Sequence, residues 1–413
     1  RRILRPAEAG PERGAVFGPA LDCGGEPLGI RHRGQVVIAR GLAQQRTDAG
    51  GVEARQADDR MRGAERGFGG RVLLVDARED WDVDDRTWCS FAVGPHPFVG
   101  AVAHRWARVR VREGGRERLL DVGRTPYVHV PARDFYRAAF ARLGSAKRFV
   151  VRGGVRVDGL VPEPGGVRAE TSAGVLRARW AFDARPALPP PGGTPRLFQH
   201  FRGFFVRTEA PRFEPGVATL MDFDVDQGRG LRFRYVLPFA ADRALVEDTY
   251  FTETTFPIGE ALLEDLGAHV VEREEGGVIP MTVDRFPVRP GIRRIGLAGG
   301  VAKPSTGYAF EFAQRDAAQI ADALVRGAPP PPFRRQAFLD EVFLGVLARD
   351  PAEAPALFYR LFDRNPPARL VRFLSERATP LDHLGVMASL PKRPFIAEAL
   401  RRVHARAALF GLA

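Results

Sequence analysis

Two adjacent carboxylates, Glu247 and Asp248, stand near the end of an otherwise apolar run, Ala244-Leu245-Val246-Glu247-Asp248-Thr249-Tyr250. The run reads as a strand. Successive side chains of a strand point to opposite faces, so only one of the two carboxylates can easily face a given cavity. Burial in an apolar pocket disfavours the charged form of a carboxyl group and raises its pKa. Such a group can hand over a proton near neutral pH, which is what general-acid chemistry needs. A solvated strand end, or an ion pair with one of the many arginines, has the same pattern. His129 and His200 are further proton carriers by type, although a lone histidine is more often a structural hydrogen-bonder.

A second constellation is Gly296-Leu297-Ala298-Gly299-Gly300-Val301-Ala302-Lys303-Pro304-Ser305-Thr306-Gly307-Tyr308, which follows one apolar strand and precedes a helix. Glycines allow close backbone approach, and a helix N-terminus attracts a phosphate or an anionic ring. An ordinary glycine-rich connection reads the same way. A dinucleotide-binding fold also needs a G-x-G-x-x-G turn after its first strand and an acid at the end of its second. Asp76, closing Arg71-Val72-Leu73-Leu74-Val75, suits the acid. Val36-Val37-Ile38-Ala39 suits the first strand, but Arg40-Gly41-Leu42-Ala43-Gln44-Gln45-Arg46 follows it, polar and without helical period. Plausible GC-rich codons read one base later give Gly-Gly-Leu-Pro-Asn-Ser-Ala-Leu-Thr-Leu-Ala-Gly-Leu, a glycine turn and an apolar helix. The expectation is a frame change between about Ala39 and Phe68, and poor dinucleotide binding by the chain as it stands.

The elements around these motifs follow from apolar spacing. Residues 1–35 have no clean period and read as loop. Residues 148–158 and 167–182 alternate as strands. Phe204 to Arg207, Ala218 to Asp222, Leu231 to Leu237 and Ala244 to Tyr250 make a strand-rich unit. Phe256 to Val270 reads as a helix, Ile292 to Ala298 as a strand, and Phe310 to Val325 as a helix. Pro189-Pro190-Pro191 and Pro329-Pro330-Pro331-Pro332 mark boundaries. The last 80 or so residues read as helical, with Phe338, Phe343, Phe358, Phe362 and Phe373 on apolar faces.

The chain has 413 residues, 45% of them hydrophobic, enough for a sizeable core and two or three structural units. Its net charge of +12 is almost all arginine; only Lys147, Lys303 and Lys392 are lysines. No basic block interleaves with aromatics, so nucleic acid is a poor candidate partner, whereas an anionic membrane surface suits the charge. Cys23 and Cys89 are too few for a disulfide framework, and no metal-ligand spacing appears. No G-x-S-x-G occurs. No run of about 18 apolar residues predicts a membrane span. The chain begins at Arg1 rather than Met, without a signal peptide, and its start reads as a fragment or a questionable frame.

An ordered set of segments resembles the lycopene cyclase family. It comprises Asp85-Arg86-Thr87-Trp88-Cys89-Ser90-Phe91, Gln199-His200-Phe201-Arg202-Gly203, Leu220-Met221-Asp222-Phe223, Tyr235-Val236-Leu237-Pro238-Phe239, Glu247-Asp248-Thr249, Gly277-Val278-Ile279-Pro280-Met281 and Pro304-Ser305-Thr306-Gly307-Tyr308. Order and spacing hold from about Val72 to Pro394.

The resemblance implies an α/β fold: a Rossmann-like FAD-binding domain with an inserted antiparallel substrate-binding sheet and a C-terminal helical region. The implied divisions are 1–35, a poorly patterned segment; 36–196, the first part of the FAD-binding domain, with 40–68 in doubtful frame; 197–284, the substrate sheet; 285–328, the second part; and 329–413, the helices. It implies lycopene β-cyclase activity, an isomerisation with non-covalent FAD, active when reduced, and NAD(P)H as reductant. Glu247 takes the family's catalytic role, with Asp248 beside it. Asp76, Gly296, Gly299, Gly300, Pro304, Ser305, Thr306, Gly307 and Tyr308 fall to the cofactor. Phe239 and Tyr250 fall to the substrate, where their faces, and that of Tyr308, would stabilise a cation. Implied partners are lycopene or a related linear carotenoid, other enzymes of the carotenoid pathway, and the cytoplasmic face of the inner membrane. Two readings compete: an FAD-dependent redox enzyme acting on an isoprenoid, and a carotenoid-binding protein without catalysis.

Overall fold

The computed structural model describes residues 36–40, 68–144, 148–333 and 337–409. The segment 1–35 and residues 41–67, where the expected frame change falls, lie outside the described residues.

Short apolar runs, two of them ending at the acids Asp76 and Asp183, build the first sheet. Its five strands lie in the order Ile292–Arg294, Trp180–Asp183, Val36–Arg40, Arg71–Val75, Phe149–Arg152. Arg71–Val75 runs parallel to Phe149–Arg152, and Trp180–Asp183 parallel to Ile292–Arg294. The central strand, Val36–Arg40, is antiparallel to both of its neighbours. The other four strands therefore all point one way. Their C-terminal ends carry Asp76, Asp183 and the turn at Gly296 to one edge, the edge where open α/β sheets bind ligands.

The second sheet has seven strands, in the order His269–Thr282, Arg196–Thr208, Arg243–Thr252, Leu231–Pro238, Val217–Asp222, Arg108–Glu113, Arg116–Asp121. It is antiparallel except where Val217–Asp222 meets Arg108–Glu113. It is therefore not confined to 197–284: the 108–121 hairpin, turned by Gly114 and Gly115 at positive φ, adds two strands to its edge. Both faces of the central strands are apolar because both are covered. One face carries Phe205, Leu231, Phe233, Leu237, Leu245 and Phe251, packed with Phe343, Leu344, Leu357 and Phe358 of the helices Ala337–Arg349 and Ala354–Asp363. The opposite face carries Phe204, Val206, Ala244 and Val246, packed with Leu262, Leu263 and Leu266. Full burial of one such Phe or Leu side chain is worth about 1.5–3 kcal/mol, so these contacts hold the helices firmly on the sheet.

Phe256 to Val270 is not a helix. A short 3₁₀ segment, Ala261–Leu266, supplies the three buried leucines, and the long strand already begins at His269. Pro257, Gly259 and Gly267, the last at φ 68°, limit the helical stretch to that one segment. The strand expected over Ile292 to Ala298 spans only Ile292–Arg294, after which Gly296–Gly299 turns as a 3₁₀ helix. The helix Phe310–Val325 forms as read. The C-terminal region is helical: Ala337–Arg349, Ala354–Asp363, Pro367–Leu374, Pro380–Ser389 and Lys392–Leu409.

Candidate active site

Four residues make one row across the helix-covered face of the large sheet. Glu247 is register-paired with Tyr235 on one side and Gly203 on the other, and Gly203 is paired with Glu275. Partners directly opposite each other share a face, so the two carboxylates face the same way with only a glycine between their strands. A Cβ at Gly203 would lie 3.3 Å from Glu247 Oε2 and 2.9 Å from Leu245 Cδ1. The missing side chain leaves the space into which the Glu247 carboxyl leans.

The two carboxylates have different surroundings. Glu247 is 7% exposed, and the Thr249 hydroxyl donates to its Oε1 at 2.7 Å. Burial pushes its pKa up to about 8; the Thr249 hydrogen bond opposes this, and the charges of Glu275 and Asp248 add to it. Glu275 is 5% exposed and also raised by burial. It is held by Arg273 Nη1 at 3.1 Å and by the Thr87 hydroxyl at 2.7 Å. Thr87 opens the strand Thr87–Phe91. Cys89, two residues on, hydrogen-bonds with Tyr235 and feels both carboxylates, and burial pushes its thiol up. The Tyr235 hydroxyl donates to Tyr127 Oη at 3.0 Å, and Tyr127 hydrogen-bonds in turn with Tyr308. Along the same face Phe205 stacks on Phe239, centroids 5.8 Å apart, with the Arg273 guanidinium 3.7 Å from the Phe205 ring. The arrangement is a neutral acid and a second carboxylate among aromatic rings, in surroundings dry enough to hold a proton on Glu247.

The pleat separates the expected site residues. Glu247, Phe239 and Tyr308 share the helix-covered side. Asp248 lies on the opposite face, with Arg232 Nη2 at 2.6 Å from its Oδ2. Tyr250 is on that face too, stacked on His200 at 5.5 Å and edge-on to Phe256 at 4.9 Å. Asp248, Tyr250 and His200 are therefore not brought to Glu247. His129 is buried beside Phe239, at 5.2 Å, and neither ring nitrogen has a hydrogen-bond partner. Burial and the nearby Arg273 hold it neutral, its pKa lowered to about 3. Glu275 is the residue the motifs passed over. It sits in the polar run Glu272-Arg273-Glu274-Glu275, and its only sequence signal was a place two residues before the Gly-Val-Ile-Pro-Met stretch that starts at Gly277, taken with strand alternation.

The residues expected at a flavin fit that group on one side only. Gly296 and Gly300 adopt positive φ, and a Cβ at Gly299 would lie 2.7 Å from the Arg294 carbonyl oxygen. At Gly307, φ 73°, a Cβ would meet Gln199 Oε1. That oxygen and Thr306 Oγ1 are buried with no hydrogen-bond partner, as suits a polar group arriving there. Pro304 is buried, and the Ser305 hydroxyl is committed to Asp340 Oδ1 at 2.6 Å, so it supports the turn from behind. Asp76 is buried at the same sheet edge and accepts the Arg78 backbone N–H at 2.8 Å. The pyrophosphate half does not fit. Because Val36–Arg40 is reversed, Arg40 pairs with Arg71, and Val36 with Val75. The chain after Arg40 therefore leaves from the edge opposite Asp76, whereas a phosphate-binding turn must leave from the same edge.

The family model for lycopene cyclase protein matches residues 59–400. The chain is 25% identical over 368 residues to the lycopene beta-cyclase of Pantoea ananas, covering 81% of this chain and 92% of that one. It is 26% identical to the lycopene beta-cyclase of Pseudescherichia vulneris, over 80% and 89% of the two chains. Among solved structures, a geranylgeranyl bacteriochlorophyll reductase-like protein from Thermoplasma acidophilum superposes with a TM-score of 0.50 at 14% identity, over 84% of this chain and 95% of that one. That likeness is one of fold.

Burial of Glu247 has a consequence for stability. The group ionises near 4.5 when solvated and near 8 when folded. Between those values the folded chain holds a proton that the unfolded chain has lost, so this group's contribution to stability falls as pH rises through that window and levels off above it. Glu247→Gln removes the contribution. Urea unfolding of parent and variant across the window should show the variant gaining steadily on the parent up to about pH 8. Parallel pH profiles would mean that Glu247 ionises normally in the folded chain.

Proposed function

The chain belongs to the lycopene cyclase protein family, and on that premise we propose that it is a lycopene β-cyclase, an isomerase that closes β-rings at the linear ends of lycopene without net redox change. The observation that supports this reading is the neutral carboxylic acid of Glu247 on a dry, aromatic-lined sheet face. Ring closure starts when a proton adds to the terminal double bond. The tertiary cation is attacked by a nearby double bond, and loss of a proton leaves the ring. Glu247 is the proton donor: burial keeps its carboxyl protonated near neutral pH, and the Thr249 hydroxyl fixes its orientation. The rings of Phe205, Phe239 and Tyr235 offer π faces to a cation. The absence of competing water favours intramolecular attack over hydration of the cation.

Non-covalent FAD, reduced at the expense of NAD(P)H, would supply negative charge near the cation without transferring electrons to the substrate. Asp76, Gly296, Gly299, Gly300, Thr306, Gly307 and Tyr308 are the residues that would hold it.

Lycopene has no polar handle and dissolves in the bilayer interior, so the enzyme must take it from a membrane surface. Among the described residues no helix is long and apolar enough to cross a membrane. The helices Pro380–Ser389 and Lys392–Leu409 instead expose Leu381, at 77%, with Leu384 and Met387, and then Ile396, Leu400 and Val403. Each set falls on one side of its helix, and the exposed Lys392, Arg393 and Arg401 stand among them. Apolar side chains with flanking cations suit peripheral docking on the anionic cytoplasmic leaflet of the inner membrane.

In bacteria that accumulate lycopene, the parent chain should form β-rings, and Glu247→Gln should lose about 10²–10⁴ in rate while remaining folded. A Gln variant that converts lycopene as fast as the parent would remove Glu247 from the chemistry. Leu384→Glu with Leu400→Glu should release the protein from anionic liposomes; undiminished sedimentation with them would place membrane contact elsewhere. For flavin, the chain as it stands should carry FAD far below one per protein. Replacing residues 40–52 by Gly-Gly-Leu-Pro-Asn-Ser-Ala-Leu-Thr-Leu-Ala-Gly-Leu, whose apolar helix would let Val36–Ala39 pair parallel to Arg71–Val75 and bring the turn to the Asp76 edge, should raise occupancy. Full occupancy in the unaltered chain, read from flavin absorbance, would show that the glycine turn is dispensable.

A further inference from the structure

Glu275 is as buried as Glu247, faces the same side of the sheet, and has no part in the proton donation described above. A buried carboxylate with no function is costly to keep, because its charge must be compensated or its proton retained. Its surroundings are built for charge. Arg273, two residues earlier on the same strand and face, places Nη1 3.1 Å from Glu275 Oε2, and the Thr87 hydroxyl donates to the same oxygen at 2.7 Å. Arg273 is itself anchored, donating from Nη1 to the Asp84 backbone carbonyl at 2.5 Å and packing over Phe205. Glu247 has no such cation; its donor is the Thr249 hydroxyl. Two carboxylates in one site with unequal partners divide one proton unequally, and the one without the guanidinium keeps it.

We propose that Glu275 is the second working carboxylate of this site: paired with Glu247 across Gly203, it carries the negative charge while Glu247 carries the proton. The inference rests on the cyclase reading for its chemistry, but not for its electrostatics. A fixed negative charge on the same face does two things. It opposes ionisation of Glu247, so the acid stays loaded. It also favours the cation formed when Glu247 gives its proton to the less substituted carbon of the terminal double bond, since the π pair becomes the new carbon–hydrogen bond and leaves positive charge on the neighbouring tertiary carbon. The nearby double bond spends its π pair on the ring-closing carbon–carbon bond; when the ring carbon then releases its proton to the carboxylate left at Glu247, that bonding pair becomes the new ring double bond. No oxidant or reductant enters. Glu275 is thus a positioning residue for the proton on Glu247.

The groups facing Glu247 limit the alternatives. From the neighbouring strands these are Tyr235, Glu275 and Arg273. From the covering strand and beyond come Thr87, Cys89, Tyr127 and Tyr308. Burial pushes the thiol and the phenols up, so they remain neutral through the range in which Glu247 titrates. Asp248 faces the other way and is neutralised by Arg232. Among the described residues Glu275 is therefore the anion on this face whose removal should move the Glu247 proton.

The test reads the proton itself. Infrared difference spectra of the full-length protein without substrate follow the protonated carboxyl band, and Glu247→Gln identifies which band belongs to Glu247. In the parent that band should disappear around pH 8. In Glu275→Gln its midpoint should fall by about one pH unit, the size expected for removing a charge two strand spacings away, about 9–10 Å, at an effective dielectric near 20. Glu275→Asp, which keeps the charge, should restore most of the shift. An unmoved midpoint in Glu275→Gln overturns the proposal, as does a midpoint that moves equally in Glu275→Asp, which would signal packing rather than charge. Ring formation by the parent in lycopene-accumulating cells is measured separately. Its absence would remove the cyclase reading and leave the carboxylate coupling standing.

Discussion

Taking a carboxyl group out of water disfavours its charged form, and the seclusion of Glu247 is the constraint to which the rest of the molecule is fitted. A strand end open to solvent would give an ordinary carboxylate with no proton to offer near neutral pH. Here the group stands mid-row in a seven-stranded sheet, with Gly203 clearing space on one side and Tyr235 beside it on the other. The Thr87–Phe91 strand brings Thr87 and Cys89 to the row, and the C-terminal helices seal the face beyond. Remove any of these covers and the proton leaves for solvent.

The sheet is covered on its other face as well. The same strands that carry Glu247 inward carry Val246, Phe204 and Val206 outward, where the Ala261–Leu266 segment buries them. The pleat also separates two carboxylates that are neighbours in sequence. Asp248 is consumed by an ion pair with Arg232, 14% exposed at its side chain. Truncating either partner would leave a buried charge uncompensated, which costs far more than an exposed pair is worth. Asp248 thereby ties two strands together on the face away from Glu247.

Much of this was legible in the residues. The run from Ala244 to Tyr250 announced a strand, and alternation said that only one of its carboxylates could face a cavity. The glycine turn from Gly296 and the helix from Phe310 also declared themselves. Glu275 did not, because Glu272-Arg273-Glu274-Glu275 reads as a solvated charged run; a bulge at Glu272 in its own strand, opposite Phe205 and Val206, and cover from Thr87, 188 residues away in sequence, decide its burial. Tyr250, expected at the substrate, lies three residues on from Glu247, an odd step that puts it on the other face. Phe256 to Val270 misled because Leu262, Leu263 and Leu266 have helical spacing that a single 3₁₀ segment satisfies. The reversed strand Val36–Arg40 had no signature at all. Apolar runs state that a strand exists and stay silent on its direction, and direction here separates a phosphate-binding edge from its opposite.

Proton addition from an exchangeable acid, followed by loss of a different, carbon-bound proton, leaves a mark in the product. Lycopene converted in heavy water by protein equilibrated in that solvent should yield β-carotene carrying one deuterium in each ring formed, at the carbon that accepted the Glu247 proton, with the composition otherwise unchanged. Mass spectrometry and NMR of the extracted pigment read both properties at once. Rings formed without deuterium, or a product that differs from lycopene by a pair of hydrogens, would contradict ring closure by a buried carboxylic acid.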